Sequence, residues 1–157
     1  MTIPSTRHRW ERFLGLPHSI GADPEGGVGA DCLLLAFRLQ EYRGAYHPPM
    51  DPIWFEQARR EDWSQLHAAW DSLTIAHLLP RQTMPPEGAL LKLTNPSGGL
   101  CIATVIDDCV VLVHETRGVT QLPIGLIQLK QFYEFRRPFF AVPATHILDT
   151  YVLAEAA

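Results

Sequence analysis

The stretch GADCLLLAFRL, residues 29–39, decides how the chain can fold. A loop rich in glycine and proline, residues 21–28, leads into it, and after Cys32 no Gly or Pro interrupts the sequence until Gly44. Asp is a preferred N-cap residue, and the dense apolar run after it indicates a buried helix. The pattern therefore predicts a central helix from about residue 31 to residue 42, with Cys32 in its first turn.

The position of Cys32 has two interpretations. At the start of a helix, unpaired backbone N–H groups and the positive end of the helix dipole favour a thiolate, so a nucleophilic cysteine would be built there. Alternatively, Cys32 is a small buried hydrophobe, because free cysteine is among the most buried residue types. The position alone leaves both interpretations open.

Composition excludes several classes of protein. The chain has 157 residues, of which 46% are hydrophobic and 19% charged, as is typical of one globular domain with its own core. Its net charge of −4 comes without a basic cluster, so it has no electrostatic footprint for nucleic acid. No apolar run approaches the ~20 residues that a membrane span needs. We expect a globular domain that binds no nucleic acid and does not span a membrane.

Cysteine usage indicates the compartment. Three cysteines, an odd number, do not suggest a disulfide framework, and we expect the chain to be made in a reducing cytoplasm. The first eight residues lack the apolar core of a signal peptide. No cluster has the spacing of a zinc site, so we expect no metal and no cofactor.

The middle of the chain carries aromatic residues at helical spacing. Asp51 and Pro52 suit the cap and first position of a helix, and Trp54, Trp63 and Trp70 follow. We interpret these aromatic side chains as core or as a docking face.

The second half of the chain changes to the alternation of β-strands. Asp107 and Asp108 form a turn between two β-rich segments, which predicts a hairpin. Helices followed by an antiparallel meander place the chain in the α+β class. The predicted strands are residues 89–93, 100–106, 110–114, 118–124 and 132–136.

Several short motifs, taken in order, carry a resemblance to a known family. They are GLP at residues 15–17, GADC at 29–32, PEGALL at 86–91, CIATVIDD at 101–108, VLVH at 111–114 and RRP at 136–138. Their order and spacing resemble the NlpC/P60 cysteine peptidases, in particular the branch found in tails of bacteriophages and related particles. The resemblance implies a papain-like domain over residues 1–140, in which N-terminal helices with the cysteine at the start of a central helix pack on an antiparallel β-sheet.

The same resemblance implies a chemistry. In this family a Cys–His pair with a third polar residue cleaves amide bonds in the peptide stems of peptidoglycan. Cys32 takes the position of the nucleophile, and His114 takes that of the orienting polar residue. The sequence departs from the family where the essential histidine is replaced by Cys101, where a glycine is replaced by Leu34, and at His18, where many relatives carry an aromatic residue.

Three hypotheses stay open. In the first, Cys32 is active, His114 has become the base, and the chain cleaves stem peptides during cell-wall penetration. In the second, the fold is kept without catalysis, and the chain is a structural component of a phage-like tail tip that contacts other tail-tip or hub proteins in the virion. In the third, Cys32 and Cys101 form a redox-sensitive pair. The second is favoured, because losing one member of such a triad typically costs several orders of magnitude in rate.

The last segment, residues 141–157, is more apolar than the domain requires. Ile147, Leu148, Tyr151 and Val152 have helical spacing. This segment either packs on its own domain or attaches a partner, and the sequence leaves both roles open.

Overall fold

The protein combines helices with an antiparallel sheet, which confirms the predicted α+β class. The computed structural model describes residues 10–44, 51–72, 76–79, 86–94, 100–123 and 147–153. Two short 3-10 helices, Glu11–Phe13 and Pro24–Gly26, come first. The further elements of the described residues are α1 (Cys32–Tyr42), α2 (Pro52–Arg59), α3 (Trp63–Asp71), β1 (Ala76–Leu79), β2 (Ala89–Thr94), β3 (Leu100–Ile106), β4 (Cys109–His114), β5 (Gly118–Pro123) and β6 (Ile147–Leu153).

The strands form one sheet in the order β1-β6-β2-β3-β4-β5, and every neighbouring pair is antiparallel. Strands β2 to β5 lie where the alternation predicts them. Asp107 and Asp108 have φ angles of 52° and 62°, so the β3–β4 hairpin turns through the left-handed pair typical of two-residue loops. The strand predicted at residues 132–136 lies outside the described residues.

Strand β6 corrects one expectation. The apolar spacing of residues 147–152 indicates a helix, and this is wrong, because residues 147–153 form a strand that pairs with β1 on one edge and β2 on the other. Four apolar residues in so short a segment fit either period. Hydrogen bonding along both edges of the strand decides the outcome. This part of the apolar C-terminal segment therefore lies inside the sheet.

Helix α1 is buried on most of its surface, as its sequence predicts. Leu35 and Leu39 pack in one apolar cluster, and Ala36 and Phe37 pack in a second one that also contains Trp70 of α3. The first cluster includes side chains from β3, β4 and β5, and the second includes side chains from β2 and β3. Helix α1 is thus fixed against the sheet, and the position of its first turn is fixed with it.

The segment before α1 is attached to the far edge of the sheet. Val119 of β5 accepts a hydrogen bond from Gly15 N–H at 3.0 Å and donates one to the Leu16 carbonyl at 2.9 Å. A Cβ at Gly118 would lie 2.1 Å from that carbonyl oxygen, and its φ is 74°, so glycine is required there. These contacts set the path of the chain into the loop that precedes α1.

Candidate functional site

The loop before α1 is held to the helix by one carboxylate. Asp31 is only 5% exposed, and it accepts hydrogen bonds from Leu33 N–H at 2.9 Å and from Gly21 N–H at 3.0 Å. Asp31 is therefore the N-cap of α1, as predicted. Burial raises the pKa of Asp31 above its usual value, and the bonds from these backbone groups partly offset that rise.

A parallel bridge places His18 beside the start of α1. His18 and Ala30 pair, with Ala30 N–H donating to the Pro17 carbonyl at 2.9 Å and Ser19 N–H donating to the Ala30 carbonyl at 3.0 Å. His18 lies close enough to the Asp31 carboxyl to lower its pKa, and it ranks last among the causes that act on that pKa, after burial and the backbone hydrogen bonds. An imidazole thus stands next to the residue that precedes Cys32.

The structure brings Cys32 and Cys101 together. Their thiols are hydrogen-bonded to each other, and the Cys32 sulfur also accepts the backbone N–H of Ile102. The bond to Cys101 is the largest cause that raises the pKa of Cys32 well above its ordinary value, followed by burial and the nearby charge of Asp31. Of the two interpretations of Cys32, these effects favour the neutral thiol over the thiolate. A helix dipole stabilises a charge by about 0.3–1 kcal/mol at exposed sites, which is less than these opposing effects.

The sheet is open where Cys32 meets it. Strands β3 and β4 pair from Ile106 and Cys109 as far as Thr104 and Val111. Continuing this register would bring Ile102 opposite Val113, but Ile102 N–H donates to the Cys32 sulfur instead. The sulfur thus takes a backbone bond at the beginning of β3. This explains how the first turn of a helix reaches Cys101.

His114 has a different task in the structure. It is 8% exposed, and its Nδ1 accepts hydrogen bonds from Thr116 N–H at 3.1 Å and from Arg117 N–H at 3.2 Å. Two donors at Nδ1 place the proton of the neutral ring on Nε2. His114 is therefore an acceptor that closes the turn between β4 and β5, and it is not among the described residues that line the groove beside Cys32.

A groove of about 250 Å³ runs over the two thiols. Cys32, Cys101 and His18 line it together with half-buried aromatic side chains of α2 and α3. The sequence predicts both cysteines as site residues, whereas it marks His18 only as a departure from the family pattern, because a bridge between residues 18 and 30 leaves no periodic signal. The remaining lining residues that matter chemically are Trp54, Phe55, Arg59, Glu61, Trp63 and Glu115.

Within the described residues, no group of three His, Cys, Asp or Glu side chains could hold a metal ion. None of the helices that the structure describes is long and apolar enough to cross a membrane. The chain matches no protein-family model and no curated protein.

Proposed function

We propose that this chain is a papain-like domain of the NlpC/P60 type that has lost peptidase activity and serves as a structural component of a phage-like tail tip. Its architecture supports the proposal, because a cysteine in the first turn of a buried helix packs on a later antiparallel sheet. The motif order supports it as well. Other tail-tip or hub proteins are then its partners, and the virion tail is its location.

The contact between Cys32 and Cys101 carries this proposal. In the family pattern, the residue aligned with Cys101 is the histidine that takes the proton of the nucleophile. Here the aligned residue does touch the Cys32 sulfur, but it presents a thiol. A thiol is a poor general base near neutral pH, whereas an imidazole is well matched to that task.

The protonation of Cys32 argues against catalysis by the usual route. The thiolate is the nucleophile, and the raised pKa of Cys32 keeps the thiol protonated near neutral pH. His114 cannot compensate in its present arrangement, because a base acting through Nε2 needs the proton on Nδ1, which already accepts two backbone N–H groups.

The groove is suited to bind a short peptide without cleaving it. Trp54, Phe55 and Trp63 offer apolar contact, Glu61 and Glu115 offer negative charge, and Arg59, which is ion-paired with Glu56 at 2.8 Å, offers positive charge. Peptide stems of peptidoglycan carry both carboxylates and amines, so such stems are the ligand class that we propose for this groove.

The first experiment tests cleavage and binding together. The protein is incubated with purified peptidoglycan stem peptides, products are followed by mass spectrometry, and binding is followed by calorimetry. We expect no cleavage by the wild type or by Cys32→Ala. Cleavage by the wild type that is lost in Cys32→Ala would overturn the proposal. If His114→Ala also lacks the cleavage seen in the wild type, the chain is an active peptidase with His114 as base.

A second experiment tests the structural role. Particles of the phage or phage-like element that encodes the chain are purified, and their proteins are quantified by mass spectrometry. We expect the chain in a fixed ratio to the tail proteins. If the chain is abundant in the lysate but missing from intact particles, a virion component is ruled out.

A further inference from the structure

Two thiols meet on the floor of the groove. Cys32 and Cys101 are free cysteines, both half-buried, and their side chains are in hydrogen-bond contact. Both line the groove, so a small solute that enters it reaches the two sulfurs together.

The backbone holds this pair in register. Asp31 caps the turn that carries Cys32, and Ile102 N–H is bonded to the Cys32 sulfur. Leu33 and Ile102, each next to one of the cysteines, pack in the same apolar cluster. A disulfide needs about 2.05 Å between the sulfur atoms and a Cα–Cα separation of about 4.4–6.8 Å, and these supports hold the two backbones on which that geometry depends.

We propose that Cys32 and Cys101 are a redox site that a hydroperoxide converts to a reversible intramolecular disulfide. One of the two sulfurs loses its proton to solvent and attacks a peroxide oxygen, the O–O bond breaks, and the alcohol or water leaves with that proton, which gives a sulfenic acid. Because the Cys32 thiol is held protonated, this step is slow at pH 7 and accelerates as pH rises. The second sulfur attacks the sulfenic sulfur, the S–S bond forms, and water leaves with the second proton. The two cysteines together lose two electrons and the peroxide gains two. A dithiol reverses the reaction by exchange.

Oxidation would have a mechanical consequence. The new bond joins the first turn of α1 to the beginning of β3 and closes a loop of about 70 residues, a length for which cross-linking restricts the unfolded chain strongly. The site stands independently of the proposed tail-tip function, because it depends only on the two sulfurs and their supports.

The third cysteine, Cys109, can be replaced so that the test involves only the proposed pair. Cys109 is opposite Ile106, five residues along β3 from Cys101, which separates the two by about 16 Å at ~3.3 Å per residue. Its sulfur accepts the Gln121 amide at 3.3 Å, a bond that serine can keep. In Cys109→Ser, the two remaining thiols belong to the proposed pair.

The experiment treats Cys109→Ser with hydrogen peroxide and then alkylates the remaining thiols. We expect a loss of about 2 Da, no alkylation, and one cross-linked peptide that contains residues 32 and 101. Melting should rise by roughly 5–15 °C and return after dithiothreitol treatment. Peptide mapping of the wild type uses cleavage before Asp107 and Asp108, since trypsin leaves Cys101 and Cys109 in one peptide.

The matched control is Cys101→Ser in the Cys109→Ser background, which should show no cross-link and no rise in melting temperature. Three outcomes overturn the proposal. They are sulfinic or sulfonic acid on single cysteines without a cross-linked peptide, a disulfide-linked dimer in place of the internal bond, and no oxidation even at alkaline pH at peroxide doses that oxidise a model thiol. Absence of peptidase activity would leave this result unaffected.

Discussion

At the residue scale, the pKa of Cys32 depends more on its neighbours than on its position at the start of a helix. The sequence correctly puts Cys32 in the first turn of α1, but it cannot show that Cys101 and Asp31 both oppose the thiolate. The relevant contact joins residues that are 69 positions apart in sequence. The chemical state of the thiol therefore depends on tertiary packing that periodicity does not report.

The reactivity of Cys32 follows from its raised pKa. Alkylation by iodoacetamide should be slow at pH 7 and should accelerate only above the range in which an ordinary thiol ionises. Cys101→His places an imidazole against the sulfur, so we expect the rate at pH 7 to rise at least about tenfold. The measurement is the site-specific rate in Cys109→Ser across pH, with Cys101→Ser as the control that removes the thiol without adding a base. Fast wild-type alkylation at pH 7 would contradict the assigned state.

His114 should prove to be a structural residue. Replacing it by Ala leaves the N–H groups of Thr116 and Arg117 without their acceptor, which costs about 1–3 kcal/mol of unfolding free energy. His114→Asn keeps an acceptor on a short side chain and should recover part of that loss. Urea unfolding measures both variants, and alkylation of Cys32 should be the same as in the wild type. A specific loss of Cys32 reactivity in His114→Ala would instead make His114 its base.

At the element scale, the described helices and the strands of the meander could be largely predicted from sequence. A cap followed by an unbroken apolar run identifies α1, and alternation around the Asp107–Asp108 turn identifies β3 and β4. Strand β6 could not be identified, because its partners β1 and β2 are distant in sequence. The bridge between His18 and Ala30 could not be predicted either, because a single bridge leaves no periodic pattern. Local sequence patterns specify individual helices and strands, whereas the site is formed by contacts between residues that are far apart in sequence.

The cap of α1 should matter more than the cap of α2. Asp31→Ala removes the acceptor of Leu33 and Gly21 N–H inside the protein and should cost about 2 kcal/mol, whereas Asp51→Ala, at an exposed cap, should cost about 0.5–1 kcal/mol. Asp31→Asn keeps an acceptor and should be milder than Asp31→Ala at pH 7. Urea unfolding of the three variants ranks these costs. Equal losses for Asp31→Ala and Asp51→Ala would remove the special role of Asp31.

The raised pKa of Asp31 also determines whether its contribution to the free energy of unfolding rises or falls with pH. The folded protein holds the Asp31 proton more tightly than the unfolded chain does, so this residue's contribution to stability falls as pH rises from the unfolded pKa of 3.8 through the higher folded one. Asp31→Asn should remove that fall. The difference in unfolding free energy between wild type and Asp31→Asn, measured from pH 3 to pH 7, should therefore shift in favour of the variant as pH rises. A shift in favour of the wild type would reverse the assigned direction.

At the scale of the whole molecule, the sheet order makes a sharp distinction between two substitutions. Thr150 lies in β6, which has β1 on one side and β2 on the other, whereas Gln121 lies in β5 at the edge of the sheet. The register of β5 turns the N–H of Val119 outward, to the Leu16 carbonyl, and the N–H of Gln121 has the same orientation because strand residues alternate.

A proline substitution should therefore destabilise the protein more in the interior strand β6 than in the edge strand β5. Thr150→Pro removes a ladder hydrogen bond between two neighbouring strands and should cost about 3 kcal/mol or more, enough to unfold a marginal domain. Gln121→Pro removes no bond to β4 and loses only the weak amide contact to Cys109, so it should cost about 1 kcal/mol or less. Urea unfolding compares the two, and hydrogen exchange of β2 reports whether its pairing with β6 is lost. If Thr150→Pro and Gln121→Pro have the same urea midpoint, β6 is not an interior strand. The C-terminal segment could then attach a partner, as the sequence also allows.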